Sequence, residues 1–296
     1  MDRIERMQLF VRIVERGSFS GAAREMGIAR STATEAIKVL ERELGAHLLA
    51  RTTRHVSPTA EGEDFHRRAR AILTEMEDAY GAYREETPRG RLRVNAPGLL
   101  TRTFLVPHLA AFVARYPALS IEFGQTERFV DLVRDGIDCV LRVGTPEDSS
   151  LILRPLGELP EITCASPAYL AAHGVPKTID DLDGHHMVGF ISSRTGQVMP
   201  LEFVRGGKVE LRTLPAPVSA DSADTTADLA RAGLGLLQAP SYRFTDELSH
   251  GTLVEVLADT PPAPTPLNAL YPQNRQLSRR LRVFLDWVKD IFATSL

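Results

Sequence analysis

The 296-residue sequence predicts an all-α winged helix-turn-helix head, one long helix and a larger α/β domain. Three observations carry this. Over the first sixty residues, apolar positions recur at helical spacing and are broken by glycines. One uninterrupted helical pattern then runs from Gly62 to about Glu86. Beyond Thr87-Pro88-Arg89-Gly90, short apolar runs alternate with amphipathic helices, as in a sheet covered on both faces.

In the head, Met7, Phe10, Val11 and Val14 share one face of a first helix. Gly17-Ser18-Phe19-Ser20 leads into a small-residue helix, Gly21 to Met26, which Gly27 breaks. A third helix follows, with Ala33, Ile37, Leu40 and Leu44 on one side. Two short helices joined by a tight glycine turn form the arrangement that seats a helix in a major groove about 12 Å wide. Next, Arg51-Thr52-Thr53-Arg54-His55-Val56-Ser57-Pro58-Thr59 alternates like a short hairpin with a basic tip, the wing of a winged helix.

Charge is distributed accordingly. The chain is −3 overall, yet residues 1–60 hold ten Lys and Arg against seven Asp and Glu, a local +3. Basic charge confined to one end fits phosphate binding there, and its modest size implies that a dimer is needed. With 43% hydrophobic and 25% charged residues the composition is that of an ordinary globular chain. No apolar run approaches the roughly 18 residues of a membrane span. A charged start, Met1-Asp2-Arg3-Ile4-Glu5-Arg6, does not read as a secretion signal, so the cytoplasm is the expected compartment. Cys139 and Cys164 lie in apolar runs and read as buried small hydrophobes rather than a disulfide.

An enzyme is the rival class, with a free-standing small-molecule-binding protein beside it. No phosphate loop, no Gly-x-Ser-x-Gly elbow and no Cys-x-x-Cys pair occurs. His185-His186 suggests a metal, but neighbouring residues diverge and a third nearby ligand is missing, so no metal or cofactor is expected.

The head resembles the LysR-type transcriptional regulators through Phe10-Val11, Gly17-Ser18-Phe19-Ser20, Ala22-Ala23, Ile37, Leu40-Glu41, Leu44-Gly45, Leu48-Leu49, Arg51, Val56-Ser57-Pro58-Thr59 and Gly62. Further matches at Pro107, Tyr116-Pro117, Gly136-Ile137-Asp138, Ala165 to Leu170 and Gly233-Leu234-Gly235 extend it over essentially the whole chain. The resemblance implies a DNA-binding regulator with three parts. Residues 1–60 form the winged head and 61–87 the linker helix. Residues 88–296 form a two-lobed effector domain like a periplasmic binding protein, one lobe about 91–162 with 268–296 and the other about 163–267.

The recognition helix is expected from Arg30 to about Leu44. Arg30, Ser31, Thr32, Thr34, Glu35 and Lys38 then face double-stranded DNA, and Arg51 and Arg54 of the wing meet its backbone or minor groove. Thr32 and Glu35 also fit a capping box, and an acid at Glu35 departs from the family's usual basic or amide residue. Along the long helix, Phe65, Ala69, Ile72, Met76, Ala79 and Tyr83 recur at steps of four and three, a coiled-coil seam about 35 Å long at 1.5 Å per residue. Phe65, Ala69, Ile72, Met76 and Tyr83 are therefore the expected dimer contacts, and twin recognition helices imply an interrupted palindrome.

Ligands in open α/β sheets bind beyond the carboxyl ends of strands. That rule selects Gly98, Leu99, Leu100, Thr101, Thr126 and Arg142 in one lobe and Phe190, Ser192, Asp221 and Pro240 in the other. Thr101 and Thr103 can cap a helix starting there. Thr126 matches a position where relatives contact an effector, whereas Leu99 and Leu100 stand where many carry Ser or Thr. An apolar or aromatic effector that carries one acid group at most is expected; the alternative is a protein that responds to redox or pairs constitutively, without a ligand. The implied mechanism is lobe closure that respaces a dimer of dimers on DNA and alters contact with RNA polymerase.

Overall fold

The computed structural model describes residues 1–51, 56–81, 87–125, 132–145, 151–193, 195–272 and 277–295. Helix α1 (Arg3–Arg16) opens on a reciprocal cap: the Asp2 carboxylate accepts from the Glu5 amide and the Glu5 carboxylate from the Asp2 amide, each at 2.8 Å. Gly17 takes the left-handed conformation that ends it (φ 60°). Ser18 then caps α2 (Phe19–Glu25) by accepting from the Gly21 amide. Helix α3 (Arg30–Leu44) follows and also ends on a left-handed glycine, Gly45. Leu9, Phe10, Ile13, Ala22, Ala33, Ala36, Ile37 and Leu40 form the core of the head. Each large side chain buried in this way contributes roughly 1.5–3 kcal/mol. Leu44, expected on that face, is 45% exposed instead, because it lies in the last turn, past the edge of the packed stripe.

Strands β1 (Leu49–Arg51) and β2 (Val56–Pro58) pair antiparallel as the wing. The Glu41 carboxylate of α3 accepts from the Leu48 and Leu49 amides, which fixes the start of the wing against the recognition helix. Thr59 accepts from the Gly62 amide and donates to the His47 carbonyl, tying the wing to α4 (Ala60–Gly81).

The regulatory part begins with β3 (Gly90–Asn95). A helical run follows: α5 (Gly98–Leu100), a π-helical turn Thr101–Leu105, and α6 (Val106–Arg115). After these come β4 (Leu119–Gly124), α7 (Leu132–Asp135), β5 (Cys139–Val143) and β6 (Leu151–Leu159). The chain crosses at Pro160 into a second lobe. This lobe holds β7 (Glu161–Ala165), α8 (Pro167–His173), β8 (Val188–Phe190), β9 (Leu201–Arg205), β10 (Lys208–Arg212), β11 (Val218–Ala220), α9 (Ala223–Arg231), β12 (Leu237–Pro240), α10 (Thr245–His250) and β13 (Val254–Val256). Strand β14 (Thr265–Pro272) returns to the first lobe, and α11 (Arg279–Ser295) completes it.

The first sheet has the order β4-β3-β5-β14-β6. Strands β4, β3 and β5 are parallel, but β14 runs antiparallel to both β5 and β6. The sheet is therefore mixed: β14 arrives from the other lobe and so enters it from the opposite end. Leu92, Val94, Cys139, Leu141, Leu267 and Ala269 pack there with Phe284, Leu285, Val288 and Phe292 of α11. In the second lobe β7 lies between β12 and β13, antiparallel to each. Cys139 and Cys164 are both free and buried, one in each lobe. Burial pushes the Cys164 thiol up to about 12 and Cys139 well above its ordinary value.

Candidate DNA interface and effector cleft

Helix α3 presents its amino-terminal half to solvent. Arg30, Ser31, Thr32, Glu35 and Lys38 are exposed and Thr34 is partly covered, while Ala33, Ala36 and Ile37 turn inward. Ala29 in extended conformation caps the helix without any side-chain hydrogen bond. The capping box at Thr32 and Glu35 is therefore not formed, since both residues already lie within the helix. The first-turn amides of α3 have no capping side chain, and such amides are natural partners for a phosphate. Thr34 Oγ1 donates back to the Arg30 carbonyl at 3.0 Å, leaving its hydroxyl satisfied within the helix. Glu35 sits 3.5 Å from Lys38, an exposed pair of small worth in itself. Arg51 is on the wing strand; Arg54 lies outside the described residues.

Helix α4 has two apolar faces. Phe65 packs on Phe10 with ring centroids 5.4 Å apart, and Ala69 is wholly buried in the core of the head, with Leu73 beside it. Phe65 and Ala69 are thus corrected from dimer contacts to intramolecular ones. The seam spacing and the core-facing spacing are the same, and α1 claims that face. Ile72 (52% exposed), half-buried Met76 and Tyr80 (67% exposed) form the other stripe, at steps of four. Tyr83 lies outside the described residues, and nothing is described of the Ala79 side chain.

In the first lobe, Gly98 begins a helix whose cap, Pro97, offers no side-chain hydrogen bond. A Cβ at Gly98 would stand 3.0 Å from the Gln125 amide oxygen, so the strand ends of β3 and β4 converge closely. Arg142 of β5 donates to the Asn95 side chain at 3.3 Å. Leu100 and Thr101, however, are buried in the lobe, and Thr101 donates to the Pro97 carbonyl at 3.0 Å from inside the helix. Both are corrected: the helix starts earlier than the expected caps, at Gly98, so these two side chains turn into the core. Leu99 stays half-buried, and Thr126 is outside the described residues.

In the second lobe, Phe190, Ser192 and Pro240 are half-buried and Asp221 is exposed, each at or just beyond a strand end. Sequence reasoning stopped at Pro240 and missed the next residues. Tyr242 lays its ring edge-on to Phe104 of the first lobe, centroids 5.0 Å apart. Buried Arg243 donates to Asp224 at 2.6 Å. The available signal was an aromatic and an arginine directly following a strand end. His185 is buried with Nδ1 3.1 Å from the Tyr169 hydroxyl, and Tyr169 also accepts from the His186 amide at 2.8 Å. Burial and the neighbouring His173 and His186 hold the His185 pKa below its ordinary value. The doublet fastens α8 to its neighbouring loop. Among the described residues no helix is long and apolar enough to cross a membrane.

These features meet known proteins along the whole chain. Residues 4–63 match the family described as bacterial regulatory helix-turn-helix protein, lysR family, and residues 85–293 match the LysR substrate binding domain. The HTH-type transcriptional regulator YhjC of Escherichia coli is 33% identical over 293 residues, 98% of each chain. The solved structure of CrgA, a LysR-type transcriptional regulator from Neisseria meningitidis, aligns over 99% of both chains at 32% identity with a TM-score of 0.60. The full-length Vibrio cholerae virulence activator AphB aligns over 97% of this chain and 98% of its own, at 27% identity and a TM-score of 0.55. A head with an exposed recognition helix, joined to a two-lobed sensor and matched end to end in this way, places the chain in the LysR family as a DNA-binding transcriptional regulator modulated by an effector.

Proposed function

We propose that this regulator reads an interrupted palindrome in double-stranded DNA as a dimer built along α4, with dimers pairing further into a tetramer. The observation that carries the reading is the pair of unused faces on one rigid unit. The uncapped, exposed start of α3 suits DNA, and the Ile72-Met76-Tyr80 stripe suits a twin helix. Arg30, Ser31, Thr32 and Glu35 are assigned to base edges and Lys38 to phosphate, with Arg51 and Arg54 on the backbone beside the wing.

The proposed effector is an apolar or aromatic small molecule with one acid group. Uncapped amides at Gly98 and Leu99 suit one carboxylate, with Arg142 held on Asn95 of the adjoining strand, and the half-buried Tyr242 ring, seated on Phe104, suits an aromatic ring. Lobe closure around it would respace the DNA heads and change DNA bending and contact with RNA polymerase, through its higher affinity for one state. The chain is read as cytoplasmic and not as an enzyme.

The test is selection of bound fragments from sheared source-genome DNA by the purified protein at two salt concentrations. Recovery of an interrupted palindrome, with affinity falling steeply with salt, is the expected outcome. Enrichment of a single unpaired half-site would refute the dimer, and no enrichment would refute this reading of α3.

A further inference from the structure

A cavity of about 280 Å³ lies between α4 and the first lobe, away from the strand ends that form the effector cleft. Helix α4 contributes His66, Arg67 and Arg70 to its wall, and the lobe contributes Arg91, Arg93 and Arg280. Five guanidiniums thus face one small space, against two wall carboxylates, Asp135 and Asp138.

The pairing of these cations is uneven. Arg67 is held by Asp64 at 2.9 Å, and Arg280 stands 3.6 Å from Asp138. The other three share two carboxylates that reach in from outside the cavity. Glu122 pairs with both Arg91 and Arg93, and Glu15 of α1 stands 3.8 Å from Arg70 and 3.9 Å from Arg91. Among the described residues, Arg70 therefore has its nearest carboxylate beyond hydrogen-bonding distance. Burial first, then the Arg93 and Arg91 guanidiniums, lower its pKa. Beside it, His66 Nε2 is buried with no hydrogen-bond partner among the described residues. Burial, and Arg70 second, hold the His66 pKa below its ordinary value.

A plain interdomain ion-pair network would give each cation its own hydrogen-bonded carboxylate, since partly buried charge without one is costly. Here Arg70 and His66 line a space smaller than a drug-sized cleft of roughly 300–1,000 Å³. We propose that this cavity is a second ligand site, for a small polyanion of the phosphate or polycarboxylate class, held by the Arg70, Arg91 and Arg93 guanidiniums. Guanidinium forks match such oxyanions bidentately. The ligand would lock α4, and with it the head that Phe10 and Phe65 fasten to α4, onto the first lobe. That regulatory consequence rests on the DNA-binding reading; the binding itself does not.

Calorimetry on the full-length protein without DNA tests it, using pyrophosphate and citrate as probes in chloride buffer of matched ionic strength. Saturable binding of one probe molecule per chain is expected, the stronger probe naming the class. Arg70→Gln should weaken it about tenfold or more, the effect of losing a charge-assisted contact. Arg67→Gln, whose residue lies nearer solvent, should weaken it less and provides a folded reading if Arg70→Gln melts early. Arg142→Gln, in the effector cleft, should leave it unchanged. Absence of saturable heat with both probes would overturn the site, as would equal affinity in the two α4 variants and wild type.

Discussion

Thr265 donates its hydroxyl to Glu161 at 2.6 Å, and this one bond joins the two strands that cross between the lobes. Burial raises the Glu161 carboxyl to about 7; the Thr265 bond and Arg243 work against that rise and Glu202 adds to it. Because the folded pKa lies above the ordinary value of 4.5, the native state holds the proton more tightly than the unfolded chain. Its contribution is complete below about pH 4.5 and is lost as pH rises toward 7, by up to about 3 kcal/mol. Glu161→Gln should therefore melt higher than wild type at pH 8 and converge with it near pH 5. Parallel thermal profiles across that range would show that Glu161 titrates normally.

Gly62 sits where any Cβ would overlap the Leu48 carbonyl. The carbonyl cannot retreat easily, because it accepts from the Thr59 amide at 3.0 Å. Gly62→Ala should force the wing away from α4 and destabilise the head by about 1–3 kcal/mol, the usual cost of overpacking. Thermal unfolding of the variant reads this directly, and a melting point within a degree of wild type would deny the close approach.

The head was legible because glycines and helical spacing agree there: Gly17, Gly27 and Gly45 all take positive φ where the pattern breaks. Helix α4 was only half legible. Its apolar residues serve two faces, and nothing in the spacing tells Ala69, which α1 covers, from Ile72, which nothing here covers. Strand β6 escaped notice because Arg154 and Pro155 interrupt its apolar run; it pairs with β14 at the sheet edge, where such residues are tolerated. The contact of Tyr242 with Phe104 joins residues far apart in the chain, and no local pattern encodes it. Likewise Thr101 has the residue type of a cap, but the helix starts three residues earlier, at Gly98.

Ile72 stands out from α4 with half its surface exposed, a poor resting place for a branched apolar side chain. If a twin helix covers it, Ile72→Arg places two like charges across the dyad and should convert the dimer to monomer at micromolar concentration. The head should still fold, since Phe65 and Ala69 on the other face are untouched. Sedimentation of the variant gives the mass, and DNA footprinting should show loss of both half-sites together. A variant that remains dimeric would move the interface elsewhere.

Glu35 stands 3.5 Å from Lys38 on the exposed face of α3, so it competes weakly with phosphate for the one lysine of that helix. A carboxylate there also repels phosphate, yet it can accept from a cytosine amino group in the major groove. Both effects act in Glu35→Gln. Without the competing carboxylate the Lys38 contact to phosphate should strengthen, so binding to random DNA should tighten, and the slope of log affinity against log salt should steepen by less than the roughly 0.9 of one whole phosphate contact. The glutamine would read adenine in place of cytosine, relaxing or shifting preference at one base pair by about 1–3 kcal/mol. Titrations at several salt concentrations on the selected site and its single-base variants separate the two terms. An unchanged slope with unchanged preference would place Glu35 outside the interface, and the face of α3 that meets DNA would then have to be rotated toward Arg30 and Thr34.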